Sequence, residues 1–398
     1  MTPSRRADVA IVYLAGLAQG LALVTFPALS AIFTDPGGYG LTSSEYGGLF
    51  VPQVVLAIGG SSLGPRAARR HGLKPVFVGG LAFNLASMVL LAASAFAAPH
   101  GTRYGLLLAA TTALGAGFGT TLMTLNTYVA EFFEQQTNVA LPALHAFLGS
   151  GTALAPILVA VFAGGATWRR LPLIVAAAFL LLGLLSLRAP LAAAGPPPAP
   201  PTGRTPAPRP RIPTRLALYG AAVFLYGICE TVFGNWATLY LHGEARMPLA
   251  SAELALTAFW AVVTIGRIAA AVIAIRVDAR LIYAALPVLI IAALLAIPTA
   301  RGAGGNVLAF GFAGVACSAF FPLTISLAEQ EFFQAAAGVS GGLVAAYMAG
   351  YGVAAFGVGP LRDSARVPLA AVYTGTAAVA AGLAGAAFVL ARPVKRPA

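Results

Sequence analysis

Charge is what this sequence has least of. Of 398 residues only 9% are Asp, Glu, Lys or Arg, while 59% are hydrophobic. A soluble domain carries about 25% charged residues, so a water-soluble fold of this size would lack the polar side chains to cover its surface. Lysine is nearly missing. Lys74 and Lys395 are its two occurrences, and neither stands in a G-x-x-x-x-G-K-[ST] loop, which excludes a Walker A site of the chain's own. Energy for any pumping is then expected from an ion gradient or a partner. The two cysteines, Cys229 and Cys317, lie inside apolar segments and make no case for a disulfide framework or a zinc site. No paired carboxylates, metal cluster or nucleophile–base arrangement face a common plane, so neither an enzyme nor a cofactor is expected. Twelve acidic residues stand against 24 basic ones, for a net charge of +12. The excess reads as loop charge that orients a membrane protein, with no nucleic acid as partner.

What is present is a series of unbroken apolar runs, each about 20 residues long, the length a helix needs to cross a bilayer. Short alternating segments, the signal of a barrel, do not occur. The runs place helices at 8–33, 44–67, 74–97, 104–130, 138–163 and 168–188, then at 214–241, 249–275, 280–299, 305–328, 335–360 and 367–391. The first run is too long for the apolar core of a signal peptide and reads as an uncleaved span. Residues 189–213 hold ten of the 28 prolines, with Arg204, Arg209 and Arg211 as their charges. Such a stretch is expected to be an extended linker. The expected domains are a six-helix bundle over 1–188, the linker over 189–213 and a second six-helix bundle over 214–398. With the N-terminus inside, 17 of the Lys and Arg residues fall on the cytoplasmic side and seven outside. That asymmetry predicts a multi-pass protein of the cell inner membrane, surrounded by lipid, with both termini and the linker cytoplasmic.

The halves resemble each other. Glu131-Phe132-Phe133 closes the fourth helix and Glu331-Phe332-Phe333 the tenth, each followed by a glycine-rich helix. Gly16-Leu17-Ala18-Gln19 aligns with Gly227-Ile228-Cys229-Glu230. The expected fold class is therefore all-α, twelve transmembrane helices in two six-helix bundles with pseudo-two-fold symmetry.

An ionisable group near the bilayer centre costs at least about 2.5 kcal/mol and is a functional candidate by default. By position along the helices, eleven of the twelve acids lie at or beyond helix ends, and Glu230 alone lies near a midpoint. It reads as a proton-coupling or substrate-binding carboxylate, against the alternative of a neutral, hydrogen-bonded structural glutamate. Gln19 holds the matching place in the first helix. Asn126, His145, Asn235 and Trp236 are further substrate-binding candidates, as are Tyr347 and Tyr351, one turn apart. Polar amides in such helices also serve as interhelical glue. Arg267 lies inside the eighth helix and is expected to pair with Glu329 or Glu331, or with backbone carbonyls, as a gate. Glu131 is expected to serve the basic stretch Arg66–Lys74 in the same way.

The layout resembles the major facilitator superfamily. The loop after the second helix is similar to that family's G-x-x-x-D-[RK]-x-G-[RK]-[RK] marker. Arg70, Gly72 and Lys74 fit, whereas Pro65 replaces the first glycine and Arg69 stands where the aspartate should be. The resemblance implies Arg70 as a gating residue. Three segments look like the fucose/glucose permease group: Gly227-Ile228-Cys229-Glu230 through Trp236 to Tyr240, Phe259-Trp260 through Gly266-Arg267, and Leu144-His145-Ala146-Phe147 through Gly149 to Pro156. That likeness implies sugar uptake coupled to a proton or cation. The acids that group uses in its first half have no match here, where Gln19 and Asn126 stand instead. The expected function is alternating-access secondary transport of a small polar or amphipathic solute, a sugar as first guess, by a monomer. Competing readings are an exporter of hydrophobic drugs or lipids and a non-transporting membrane receptor or scaffold.

Overall fold

Lipid offers no hydrogen bonds, so a spanning segment must pair its own backbone. The computed structural model of the chain describes residues 3–162, 165–191, 213–332 and 336–392, and among them all regular structure is helical. Twelve helices are long and apolar enough to cross a membrane, which marks a multi-pass membrane protein. They are α1 (Arg5–Thr34), α2 (Ser43–His71), α3 (Leu73–Ser94), α4 (His100–Phe132), α5 (Val139–Phe162), α6 (Thr167–Arg188), α7 (Thr214–Asn235), α8 (Leu249–Ala270), α9 (Ala279–Thr299), α10 (Gly302–Glu331), α11 (Val339–Asp363) and α12 (Leu369–Ala391). Each corresponds in order to an expected span. Residues 192–212 of the expected linker lie outside the described residues, as do Phe333, Lys395 and Arg396.

Packing repeats with a shift of six helices. In the first half α1 packs on α5, α4 on α2 and α3, and α3 on α6; in the second, α7 packs on α11, α10 on α8 and α9, and α9 on α12. The halves meet through α2 on α11 and α5 on α8. A shift of six turns each of these two contacts into the other, as pseudo-two-fold symmetry requires.

Small residues let the backbones approach at these crossings. A Cβ on Gly227 would stand 2.5 Å from the Tyr347 carbonyl oxygen where α7 crosses α11. At the equivalent crossing of α1 and α5, a Cβ on Gly16 would stand 3.0 Å from Leu144. Gly16 and Gly227 are the residues that the sequence repeat aligns, so the alignment is spatial as well. Gly227→Ala is expected to force α7 and α11 apart and to cost about 1–3 kcal/mol. Gly220→Ala, where the added carbon meets nothing within 4 Å, should be neutral or slightly stabilising. Thermal unfolding of the two variants in detergent checks the contrast.

Candidate functional site

The break within α10 and the end of α7 each release backbone groups that side chains then claim. Helix α10 stops at Cys317 and resumes at Phe320. Pro322, one turn after Ser318, has no N–H to offer that residue's carbonyl. The Ser318 carbonyl instead accepts from Arg267 Nε at 3.3 Å, and the Cys317 carbonyl accepts from the Tyr226 hydroxyl at 2.8 Å. Helix α7 ends at Asn235, with Trp236 as its C-cap. The Asn235 carbonyl accepts from the Tyr46 hydroxyl of α2 at 2.8 Å.

Glu230 sits between the breaks and is buried, at 4% exposure. Its Oε1 lies 2.7 Å from the Tyr226 hydroxyl, and its Oε2 accepts from the Tyr347 hydroxyl of α11. Tyr226 therefore touches two acceptors, a carboxylate oxygen and the Cys317 carbonyl, with one proton to donate. Around this group Tyr226 stacks on Phe320 at 5.2 Å, and Phe321 meets Tyr347 at 4.8 Å between ring centroids. Arg267 lies close enough to act electrostatically on Tyr226, Tyr347 and His145. One neighbourhood thus joins four of the expected residues, Glu230, Tyr347, Arg267 and His145.

Asn235, Trp236 and Tyr351 form a second group nearer the face opposite the termini. Asn235 Nδ2 donates to the Tyr351 hydroxyl at 3.0 Å, and Trp236 Nε1 to the Ala354 carbonyl at 3.3 Å. Trp236 is fully buried and packs edge-on against Tyr46 at 5.2 Å, so its ring contacts protein on all sides. The two halves are latched here. The Asp363 carboxylate at the end of α11 accepts from the backbone N–H of Ser43 at 3.3 Å and of Ser44 at 2.7 Å. These are the first residues of α2, where helix N–H groups lack intrahelical partners. On the face that carries the termini, no side-chain hydrogen bond or ion pair joins the halves between described residues.

Other expected residues stand apart. Gln19 is fully buried, and its amide and that of Asn84 in α3 bond each other in both directions, at 3.3 and 2.7 Å. Its polar groups are spent as interhelical glue. Asn126 is half-buried on α4, and its Oδ1 makes no hydrogen bond within the protein. Of the partners expected for Arg267, a backbone carbonyl is taken, that of Ser318, and Glu329 and Glu331 are not. Glu331 takes Arg215 at 2.6 Å and Tyr219 at 3.2 Å, and Glu329 accepts from Ser340. The helix break explains the difference, since the freed Ser318 carbonyl lies nearer to Arg267 than either acid. Arg70 is exposed at the end of α2 and forms no ion pair with a described residue. Lys74 of the same basic stretch bonds the carbonyls of Leu187 and Ala189, while the carbonyl of Glu131 accepts from Arg5.

Two of the acids placed at helix ends, Asp8 and Glu253, are buried. Glu253 is fully buried in α8, whereas its place near the start of that helix suggested an exposed end. Tyr46 of α2 and Thr238 beyond the end of α7 lie close enough to act on it. Its own spacing with Thr257, Trp260, Thr264 and Arg267 was the available signal.

A buried acid and an arginine at broken helices, between two bundles latched on one face, define a secondary transporter. The family model of the Major Facilitator Superfamily matches residues 9–343, and the chain belongs to that superfamily. Solved structures share the fold across nearly the whole chain. A mutant of the nucleoside transporter NupG matches with a TM-score of 0.74 at 15% identity, covering 97% of this chain and 99% of that one. The D-xylose-proton symporter matches with a TM-score of 0.71 at 15% identity, covering 96% of each. A bacterial homolog of the human lysosomal transporter Spinster, in an inward-facing and occupied conformation, matches with a TM-score of 0.72 at 12% identity, covering 98% and 97%. No curated protein gives a sequence match.

Removing the latch should shift the balance between conformations. Asp363→Ala deletes two hydrogen bonds to a charged acceptor, at an exposed site, and is expected to cost the closed face about 1–2 kcal/mol. A Cys introduced at Ala355, buried under that face, should then react with a membrane-impermeant maleimide roughly 5–30-fold faster.

Proposed function

We propose that this protein imports a sugar, or a solute carrying a sugar ring, by alternating access coupled to the proton gradient, with Glu230 as the proton-carrying carboxylate. Proton accounting around Tyr226 carries the reading. With Glu230 ionised, the single Tyr226 proton serves either Oε1 or the Cys317 carbonyl, and the other close contact sets two lone pairs against each other. With a proton on Oε1, Glu230 donates to Tyr226, Tyr226 donates to Cys317, and Tyr347 donates to Oε2. Every group is then satisfied, so the arrangement has a place for a transferable proton.

The charge asymmetry supports cytoplasmic termini and a place in the cell inner membrane. On that reading the latched face is outside and the conformation faces inward. Glu230 would pass its proton to the cytoplasm here. The resulting carboxylate competes for the hydroxyls of Tyr226 and Tyr347 and draws on the Arg267 charge, so the arrangement that held the proton loosens. Arg267 acts as a gate by tying α8 to the break in α10. The aromatic wall of Phe321 and Tyr347, edged with hydroxyls, suits the apolar face and polar rim of a sugar ring. Asn126 and His145 would supply hydrogen bonds from the first half. Asn235, Trp236 and Tyr351 bound the site on the closed side. The proteins of similar fold include a D-xylose-proton symporter and a nucleoside transporter, which fits a solute of this class. The segments that look like the fucose/glucose permease group point the same way. A single chain holds both halves of the site, in keeping with a monomer.

In proteoliposomes with an acidic exterior, wild type should accumulate one or more members of a panel of pentoses, hexoses and nucleosides. Glu230→Gln should lower gradient-driven accumulation at least about ten-fold while leaving solute exchange across the membrane in place. Accumulation by Glu230→Gln equal to wild type would sink the coupling role.

A further inference from the structure

Besides Glu230, Asp8 and Glu253 are buried acids, and Glu253 is the one with no solvent exposure. Neither of its carboxylate oxygens makes a hydrogen bond within the protein. A structural buried acid is ordinarily held by donors or a cation. Here the neighbouring hydroxyls are unengaged as well: Thr238 Oγ1 and Thr257 Oγ1 are buried without a hydrogen bond. Glu253 also does not stand alone on its helix. Glu253, Thr257, Trp260, Thr264 and Arg267 follow one another at spacings of four, three, four and three residues, which places all five on one face of α8. Trp260 Nε1, midway along, is a third buried group without a partner. The Trp260 ring packs on Gly234, one turn from Glu230 in α7. The far end of the stripe is Arg267, beside the Glu230 cluster. A row of polar groups, of which Glu253, Thr257 and Trp260 hold atoms without a partner, therefore runs from beneath the latched face to the acid of the proposed transport site.

We propose that Glu253 is a second proton-binding carboxylate, loaded from the latched face when that face opens and sealed in its neutral form when Tyr46 closes over it. This rests on the transport reading for its physiological use, though not for its observable. An ionised carboxylate in that dry position would lack any compensating charge. The titratable group that faces it is Tyr46 from α2; Thr238 faces it from beyond α7 and Thr257 from its own helix. His145 of α5 is turned to Arg267, and Glu230 of α7 to Tyr226 and Tyr347, so neither pairs with it. Closing the face thus requires the proton, and removing the proton favours opening. The linkage has a definite sign: rising pH opens this face.

The distance between spin labels on cysteines placed at Gly37 and Ser364, both exposed on the latched face, reports this opening without any solute. On raising the pH from about 5 to about 9, the open population of wild type should increase at least about five-fold. Glu253→Gln should stay closed throughout, and Gly220→Ala, where the added carbon meets nothing within 4 Å, should keep the wild-type response. Glu253→Asp should retain the response with a shifted midpoint, which serves as the test should the Gln variant fail to fold. A wild-type distance insensitive to pH, a full response in Glu253→Gln, or an unshifted midpoint in Glu253→Asp each overturns the proposal. A distance that answers to added sodium at fixed pH, and not to pH, overturns it too. If instead the labels behave as expected and Glu230→Gln still accumulates solute normally, the site at Glu253 stands and the role given to Glu230 falls.

Discussion

A carbonyl freed inside the hydrocarbon must find a donor, and this one requirement organises the centre of the protein. The break in α10 frees the Cys317 and Ser318 carbonyls, and only side chains from neighbouring helices can reach them. Tyr226 and Arg267 do so, and in doing so are fixed against Glu230 and His145. The end of α7 frees the Asn235 carbonyl, and the donor that reaches it, Tyr46, comes from the other half. One break therefore builds the site and the other helps to join the bundles.

Much of this architecture was legible in the sequence, because lipid makes the code simple. Apolar runs of spanning length, the proline-rich interruption and the arginine asymmetry rest on hydrophobicity and charge, which are properties of single residues. Glu230 was legible for the same reason, since its cost in the membrane depends on depth. Partners were not. Arg267 could be read as pairing with the acids at the end of α10 or with backbone carbonyls, and it is the proline four residues past Ser318, by freeing a nearby acceptor, that decides for the carbonyl. Glu253 was placed at a helix end, where sequence position implies water. Burial there depends on Tyr46 and Thr238, contributed by segments far away in the chain or across a turn. Gln19 was rightly placed opposite Glu230 in the repeat, but its orientation depends on Asn84, a residue that no periodicity connects to it.

That repeat gives the asymmetry of the two halves a physical meaning. Gln19 and Glu230 occupy equivalent places, beside the equivalent glycines Gly16 and Gly227. An amide offers a donor and an acceptor at all times, so Gln19 and Asn84 can satisfy each other in every conformation. A carboxyl group changes its hydrogen-bonding character when it gains or loses a proton. Placed against two tyrosine hydroxyls, it makes the stability of its surroundings depend on that proton. The same backbone position therefore serves as a permanent bond in one bundle and as a variable one in the other.

The contacts that join the halves fit a protein that must exchange conformations. Two states interconvert usefully only when a few kcal/mol separate them. A large buried ion pair between the bundles would exceed that range, because breaking it strands a charge. The latch uses other means. Asp363 binds backbone N–H groups at the start of α2, which water can satisfy once the face opens. Tyr46 contributes one neutral hydrogen bond and an edge-on ring contact. The packing of α2 on α11 and of α5 on α8 uses glycines, such as Gly352, where an added Cβ would stand 3.4 Å from Val54, and Gly149, where one would stand 2.2 Å from the Thr264 hydroxyl. Such surfaces slide without leaving polar groups unpaired. The strong polar bonds therefore lie within each bundle and the exchangeable ones between them, so each bundle can move as a unit about the paired crossings of α2 with α11 and α5 with α8.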